Sequence, residues 1–144
     1  MINILVDADA CPTISLIEKL SERHQIPVTY ICDTTHKITS SINTVIIVDK
    51  GDDSADYKIL SLCNQDSIVV TQDYALAGLC LTKKSIVIHF DGFIIDNNNI
   101  DTLLSARYLG QKARKAKIKM ANQKKRLPET DLKFYQELEK IIKR

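Results

Sequence analysis

The sequence predicts an α/β domain built on a mainly parallel sheet, and three observations carry that prediction. Short β-branched apolar runs recur at Ile2–Val6, Val28–Ile31, Val45–Val48, Ile68–Val70 and Ile86–Ile88, with the length and composition of strands buried on both faces. Stretches with helical spacing separate most of them, and strand, helix, strand in repeating order is the pattern of an α/β domain with right-handed crossovers. Asp7, Asp56 and Asp73 lie at or beyond the ends of three of the runs, and such sheets bind ligands at the carboxyl ends of their strands.

After the first run, Pro12 to about Arg23 carries Ile14, Leu16, Ile17 and Leu20 at helical spacing. Pro12 falls near the first turn, where its missing N–H does no harm. Asp33–Thr44 is polar and without a period, so a connection with at most a short element is expected there. Ser54–Leu62 has the character of a helix opening on Asp53 or Ser54, and Tyr74–Leu81 that of a third helix capped by Asp73. Asp91 to Asn99 is turn-rich, with Asp91-Gly92 followed by three asparagines. Ile100, Leu103, Leu104, Tyr108 and Leu109 then space a helix that packs on the core, with Asn99 as its expected N-cap. Lys112, Arg114, Lys115, Lys117 and Lys119 follow with few apolar neighbours, which predicts an exposed or projecting stretch. A last helix follows Pro128, with Phe134, Leu138, Ile141 and Ile142 on one side. The length of 144 residues suits a single domain; its core is expected over about 1–109, with a basic helical C-terminal part over about 110–144.

The net charge of +2 conceals a division: residues 1–106 carry a net −7 and residues 107–144 a net +9. An acidic body with a basic tail suits a protein that holds a metal in one region and polyanionic phosphate in another, although two solvated helix faces would give the same totals. The four cysteines match neither a close chelating pair nor a compact disulfide framework, so reduced thiols in a cytoplasmic protein are expected. The chain has neither a signal-peptide pattern nor an apolar run near the ~20 residues of a membrane span. No membrane association is expected.

Three segments concentrate the acids. Val6-Asp7-Ala8-Asp9 runs a strand pattern into two carboxylates on one side. Gly51-Asp52-Asp53-Ser54-Ala55-Asp56 puts Asp53 and Asp56 on one face of a helix start, and Thr71-Gln72-Asp73 ends a strand with a hydroxyl and an acid. Carboxylates held together repel, and a divalent cation removes the repulsion. Oxygen donors without a nearby histidine suit a hard ion, Mg2+ or Mn2+, rather than zinc. His24, His36 and His89 are scattered and are expected to be ordinary histidines. Helix capping by Asp9, Asp53 and Asp73 is the alternative account of those three acids. Cys11 is expected to be a small packed residue before Pro12 rather than a nucleophile, since the sequence places no histidine beside it.

At these residues the chain resembles the YaiI/YqxD family of uncharacterised bacterial proteins, which is grouped with PIN-like nuclease domains. The resemblance rests on Val6-Asp7-Ala8-Asp9-Ala10-Cys11-Pro12, on Gly51, Asp53, Ala55 and Asp56, on Thr71-Gln72-Asp73-Tyr74 with Leu76 and Ala77, and on Asn99-Ile100 with Leu103, Leu104 and Arg107. It covers nearly the whole length; beyond Asn122 it lies only in apolar spacing, through Phe134 and Leu138. It implies a single PIN-like (Rossmann-like) three-layer domain, with Asp7, Asp56 and Asp73 in the acidic positions. Asp56 stands where PIN domains usually carry glutamate, which shortens the reach of that ligand.

By analogy with that fold, the expected chemistry is metal-dependent hydrolysis of a phosphodiester in RNA, or less readily DNA. Asp7, Asp56 and Asp73 would hold a metal, with Asp9 or Asp53 serving a second ion or orienting water. Arg107, Lys112, Arg114 and Lys115 would grip the backbone. Tyr108 is the one aromatic among these cations, so base stacking is not indicated. Two rivals stand beside this reading. A haloacid-dehalogenase-like phosphatase would use Asp7 as nucleophile and Asp9 as acid, but Cys11 replaces that family's threonine. A non-catalytic nucleic-acid or ribosome-binding module would use the acids as caps and as a structural metal site. The basic arm would also suit contact with a second subunit in a homodimer.

Overall fold

The computed structural model describes residues 1–33, 38–51, 53–106 and 125–144. Its strands are β1 (Asn3–Asp7), β2 (Val28–Asp33), β3 (Thr44–Val48), β4 (Ser67–Val70), β5 (Ile86–Ile88) and β6 (Ile94–Ile95). The helices are α1 (Ile14–His24), α2 (Ser54–Leu62), α3 (Tyr74–Thr82), α4, described over residues 100–106, and α5 (Pro128–Ile142). The sheet runs β3-β2-β1-β4-β5-β6. Every neighbouring pair is parallel except β5 with β6.

Side-chain alternation along these strands divides the core in two. Ile4, Val6, Val28, Tyr30, Ile68, Val70 and Ile88 face α1 and α5, and meet Ile17, Leu20, Phe134, Leu138 and Ile141. Leu5, Ile31, Val69 and Val87 face the other way, onto Ile59, Leu76, Cys80 and Ile100 from α2, α3 and α4. The central strands are therefore apolar on both faces, in keeping with their unbroken β-branched runs, and the domain has three layers.

Two local expectations differ from what the chain does. The segment from Asp91 to Asn99 contains β6, which folds back antiparallel on β5 with Ile88 opposite Ile94; two residues are too few to display a period. Asn99 stands at the start of α4, where Leu103 N–H donates to its carbonyl, but its side chain is used for something other than a cap. Its Oδ1 accepts from Asp96 N–H and its Nδ2 donates to Ile94 O, which closes the loop after β6.

The polar segment before β3 has a structural task. Asn43 Oδ1 accepts from Ser21 Oγ and from Val28 N–H, tying the segment to α1 and β2. Glu18 accepts from Ser40 Oγ and Asn43 Nδ2 at the same junction. The expected backbone-gripping residues Arg107, Lys112, Arg114 and Lys115, with Tyr108, lie outside the described residues.

Gly92 fixes how α5 meets the sheet. Its φ is +89°, and a Cβ there would stand 2.6 Å from Phe134 N and 2.8 Å from Phe134 Cα. The β5–β6 turn thus touches the α5 backbone directly. Gly92→Ala should lower unfolding stability by about 3 kcal/mol, combining left-handed strain with a forced shift of α5. Urea unfolding measures this, and an unchanged midpoint would mean that α5 is not seated against the turn.

Candidate functional site

The sheet order puts β1 between β2 and β4, so the connections leaving β1 and entering β4 run to opposite sides of the sheet. A crevice at the carboxyl ends of these strands is the geometric result. Asp7 is the last residue of β1, and Val6 pairs with Val70 at the end of β4. Thr71 is thereby carried to the side of Asp7, and its hydroxyl, fully buried, donates to Asp7 Oδ2 at 2.8 Å. The same Thr71 Oγ1 accepts from Asp73 N–H at 3.0 Å. One hydroxyl thus fixes both the carboxylate of β1 and the backbone that turns into α3.

The other acids arrive from separate elements. Asp73 caps α3, its Oδ1 accepting from Ala75 N–H at 2.9 Å and Leu76 N–H at 3.1 Å. Asp53 precedes α2 with a left-handed φ of 70° and makes no side-chain capping bond, and Asp56 lies in the first turn of α2. Asp9 follows β1, and its two oxygens accept from Asp33 N–H at 3.2 and 3.3 Å. Ala10 beside it has a φ of 60°, which turns the chain out of the strand. Of the three acids considered as helix caps, Asp73 alone caps a helix with its side chain.

Asp7, Asp9, Asp33, Asp53, Asp56 and Asp73 line one cleft of about 660 Å³, together with Gln72. The carboxyl of Asp7 is pushed up to about 6, chiefly by burial. Repulsion from Asp56, Asp73 and Asp9 adds to this, while the Thr71 hydrogen bond opposes it. Every acid singled out in the sequence reaches this cleft. Among the described residues, however, no group of three His, Cys, Asp or Glu side chains stands where it could hold one ion jointly. The acids share a cleft without forming a ready-made cage.

Sequence reasoning misses Asp33 and Gln72. Asp33 ends β2 just as Asp7 ends β1, so the rule that finds Asp7 would find it too. Its place at the head of a polar connection hides it. The histidines at 24 and 89 lie away from the cleft: His24 Nε2 pairs with Glu139 at 2.8 Å, and His89 stacks on Phe93 with ring centroids 4.4 Å apart. His36 lies outside the described residues. The Cys11 thiol contacts Thr13 Oγ1, and burial pushes its pKa up, the opposite of what an attacking thiolate needs.

The model of the uncharacterised YaiI/YqxD family matches residues 5–144. The chain belongs to that family. A UPF0178 protein of Clostridium acetobutylicum is 39% identical over 143 residues, covering 98% of this chain and 97% of its own. One from Clostridium novyi is 42% identical over 139 residues, covering 96% and 93%, and one from Ruminiclostridium cellulolyticum 44% over 140, covering 97% and 92%. No solved structure matches the chain. Among the described residues no helix is long and apolar enough to cross a membrane.

In this YaiI/YqxD-family protein the raised Asp7 pKa has a definite effect on stability in metal-free buffer. The folded chain holds the Asp7 proton up to about pH 6, whereas an ordinary aspartate releases it near 3.8. The contribution of Asp7 is therefore fully present below pH 3.8 and is lost as pH rises through 6. Asp7→Asn keeps a neutral group at every pH. Relative to wild type, its stability should improve by up to about 3 kcal/mol between pH 4 and pH 7.5. Chemical unfolding at both pH values measures the difference, and an equal offset at the two would sink the buried-carboxylate account. Thr71→Val, which removes the hydroxyl donor, should move the Asp7 pKa above 6, as NMR titration of the side-chain carboxyl would register; a fall would show that the hydroxyl is not what stabilises the charge.

Proposed function

We propose that this chain is a divalent-metal-dependent phosphodiesterase acting on nucleic acid at the acidic cleft. The observation that carries the reading is the gathering of six aspartates from different elements into one crevice, with Asp7, half-buried at the end of the central strand, reluctant to ionise. Like charges brought together in this way favour a cation. The donors are all hard oxygens, which fits Mg2+ or Mn2+. Mg2+ commonly keeps several waters and takes one or two carboxylates plus substrate phosphate, so the lack of a preassembled triad among the described residues is compatible with such an ion.

Asp7, Asp56 and Asp73 would hold the ion, with Asp53 as a further ligand. A bound Mg2+ or Mn2+ supplies charge neutralisation at the phosphate and an activated water. Thr71 orients the Asp7 carboxylate, and the α3 cap fixes the rotamer of Asp73. Asp9, held to the end of β2, would orient water or a second ion. Arg107, Lys112, Arg114 and Lys115 would hold the polyanion against an otherwise acidic body. RNA is preferred over DNA only by fold-level analogy with PIN-like nuclease domains.

One observation favours the second reading, a non-catalytic nucleic-acid or ribosome-binding module. Asp9 and Asp73 already serve backbone N–H groups, as purely structural acids would. Calorimetric titration of Mn2+ into wild type and Asp7→Asn, followed by incubation of the same samples with labelled RNA, separates the two. A nuclease should bind Mn2+ at least tenfold more weakly once Asp7 is replaced. It should cut RNA only as wild type with metal present, and Asp7→Asn should still bind RNA in a salt-dependent manner. A wild type that takes up no Mn2+ would remove the catalytic reading and leave the binding module.

A further inference from the structure

The acidic cleft continues into a second, apolar pocket of about 240 Å³ between α2 and α3. Asp53 and Asp56 line both. Its remaining walls include Tyr57, Leu60, Leu76 and Leu79. Two of these are large side chains turned to solvent: Tyr57 is 71% exposed and Leu79 50% exposed. An aromatic and a leucine left open on adjacent helices, directly beside the carboxylates, are not accounted for by the core. Leu76 and Ile59 already fill the space beneath.

We propose that this pocket is a nucleobase subsite, and that the substrate is single-stranded. The proposal deepens the phosphodiesterase reading above and rests on it. A phosphodiester held at Asp7, Asp56 and Asp73 puts the attached nucleoside within reach of the α2–α3 pocket, because Asp56 belongs to both. Three features of the pocket match a base. Tyr57 offers an aromatic face for stacking, which tolerates any base because each has a π-face. Leu60, Leu76 and Leu79 supply apolar surface for the ring. Asp53 and Asp56 at the rim are acceptors suited to the exocyclic amino group of adenine or cytosine. A base inside a duplex would have to leave its stack to enter, which costs unstacking and unpairing energy, so the pocket favours unpaired strands. The aromatic for stacking thus stands among the acids rather than among the cations.

The test uses the full chain with Mn2+ and a short fluorescein-labelled RNA whose phosphorothioate links resist cleavage. The comparison strand has the same backbone without bases, and sedimentation is run on the same samples. Wild type should bind the strand with bases about tenfold more tightly than the abasic one, about 1.4 kcal/mol. Tyr57→Ala should lose most of that difference, Tyr57→Phe should keep it, and neither should alter binding of the abasic strand. The exposure of Tyr57 makes both variants compatible with folding. If Tyr57→Ala binds both strands as wild type does, the pocket is not a base subsite, while the cleft reading stands on its own Mn2+ titration. If Tyr57→Ala weakens both strands equally, its effect is general and the proposal fails. A wild-type dimer that Tyr57→Ala dissociates would mean that a second copy covers the pocket, which also overturns it. Wild type that binds neither strand would remove the subsite and the phosphodiesterase reading together.

Discussion

The burial of one carboxylate at the end of the central strand is the constraint on which the site depends. β1 is flanked on both edges by parallel strands, and Asp7 at its carboxyl end lines the crevice. Burial raises its pKa more than any neighbour does, and the neighbouring carboxylates push in the same direction. Thr71 opposes both effects with one hydrogen bond. The register of β4 on β1 sets that bond: Val6 opposite Val70 brings residue 71 level with residue 7. A slip of a single position would turn the strand's side chains to the other face and lose the contact.

The C-terminal helix joins this arrangement although it lies far along the chain. Phe134, Leu138 and Ile141 complete the core beneath α1 and the sheet. Just before α5, Arg126 donates to Asp131, Asp91 and the Phe90 carbonyl, with donor–acceptor distances between 2.6 and 2.9 Å. Lys125, Arg126 and Thr130 line a cavity of about 510 Å³ together with Gln72, which also borders the acidic cleft. The downstream end of the basic stretch is therefore anchored beside the acids. The charge division in the sequence, −7 before residue 107 and +9 after it, thus has a spatial counterpart at Lys125 and Arg126.

Much of this is legible in the sequence. The five apolar runs become strands with end points shifted by a residue or two, and Ser54–Leu62 is a helix over the very residues expected. Strong β-branching and 3.6-residue spacing are signals local to a segment, which is why they survive. Features that depend on a neighbour's position are lost. β6 exists because β5 offers it an edge; Asn99 abandons capping because Asp96 and Ile94 stand within reach of its side chain. Asp33 is hidden by the polar run that follows it, and Tyr57 looks like one more residue of an amphipathic helix. That Asp53 and Asp56 border an apolar pocket as well as an acidic cleft follows from α3 packing beside α2, a fact with no trace in either segment alone.

Hydrogen bonds to backbone N–H groups explain some of these acids, whereas the Asp7 carboxylate accepts from the Thr71 hydroxyl. Asp73 returns two hydrogen bonds to the first turn of α3, and a cap of that kind stabilises a fold by about 1 kcal/mol. Asp9 satisfies the N–H at the end of β2. Asp7 makes the opposite contribution above pH 6, because its ionised form is the one that burial and its neighbours disfavour. Asparagine would fill the same space without that penalty. Under the proposed reading, a cation in the cleft would favour the charged form of Asp7 and offset this penalty. The raised pKa of Asp7 thus separates it from Asp73 and Asp9, whose carboxylates are held by backbone N–H groups.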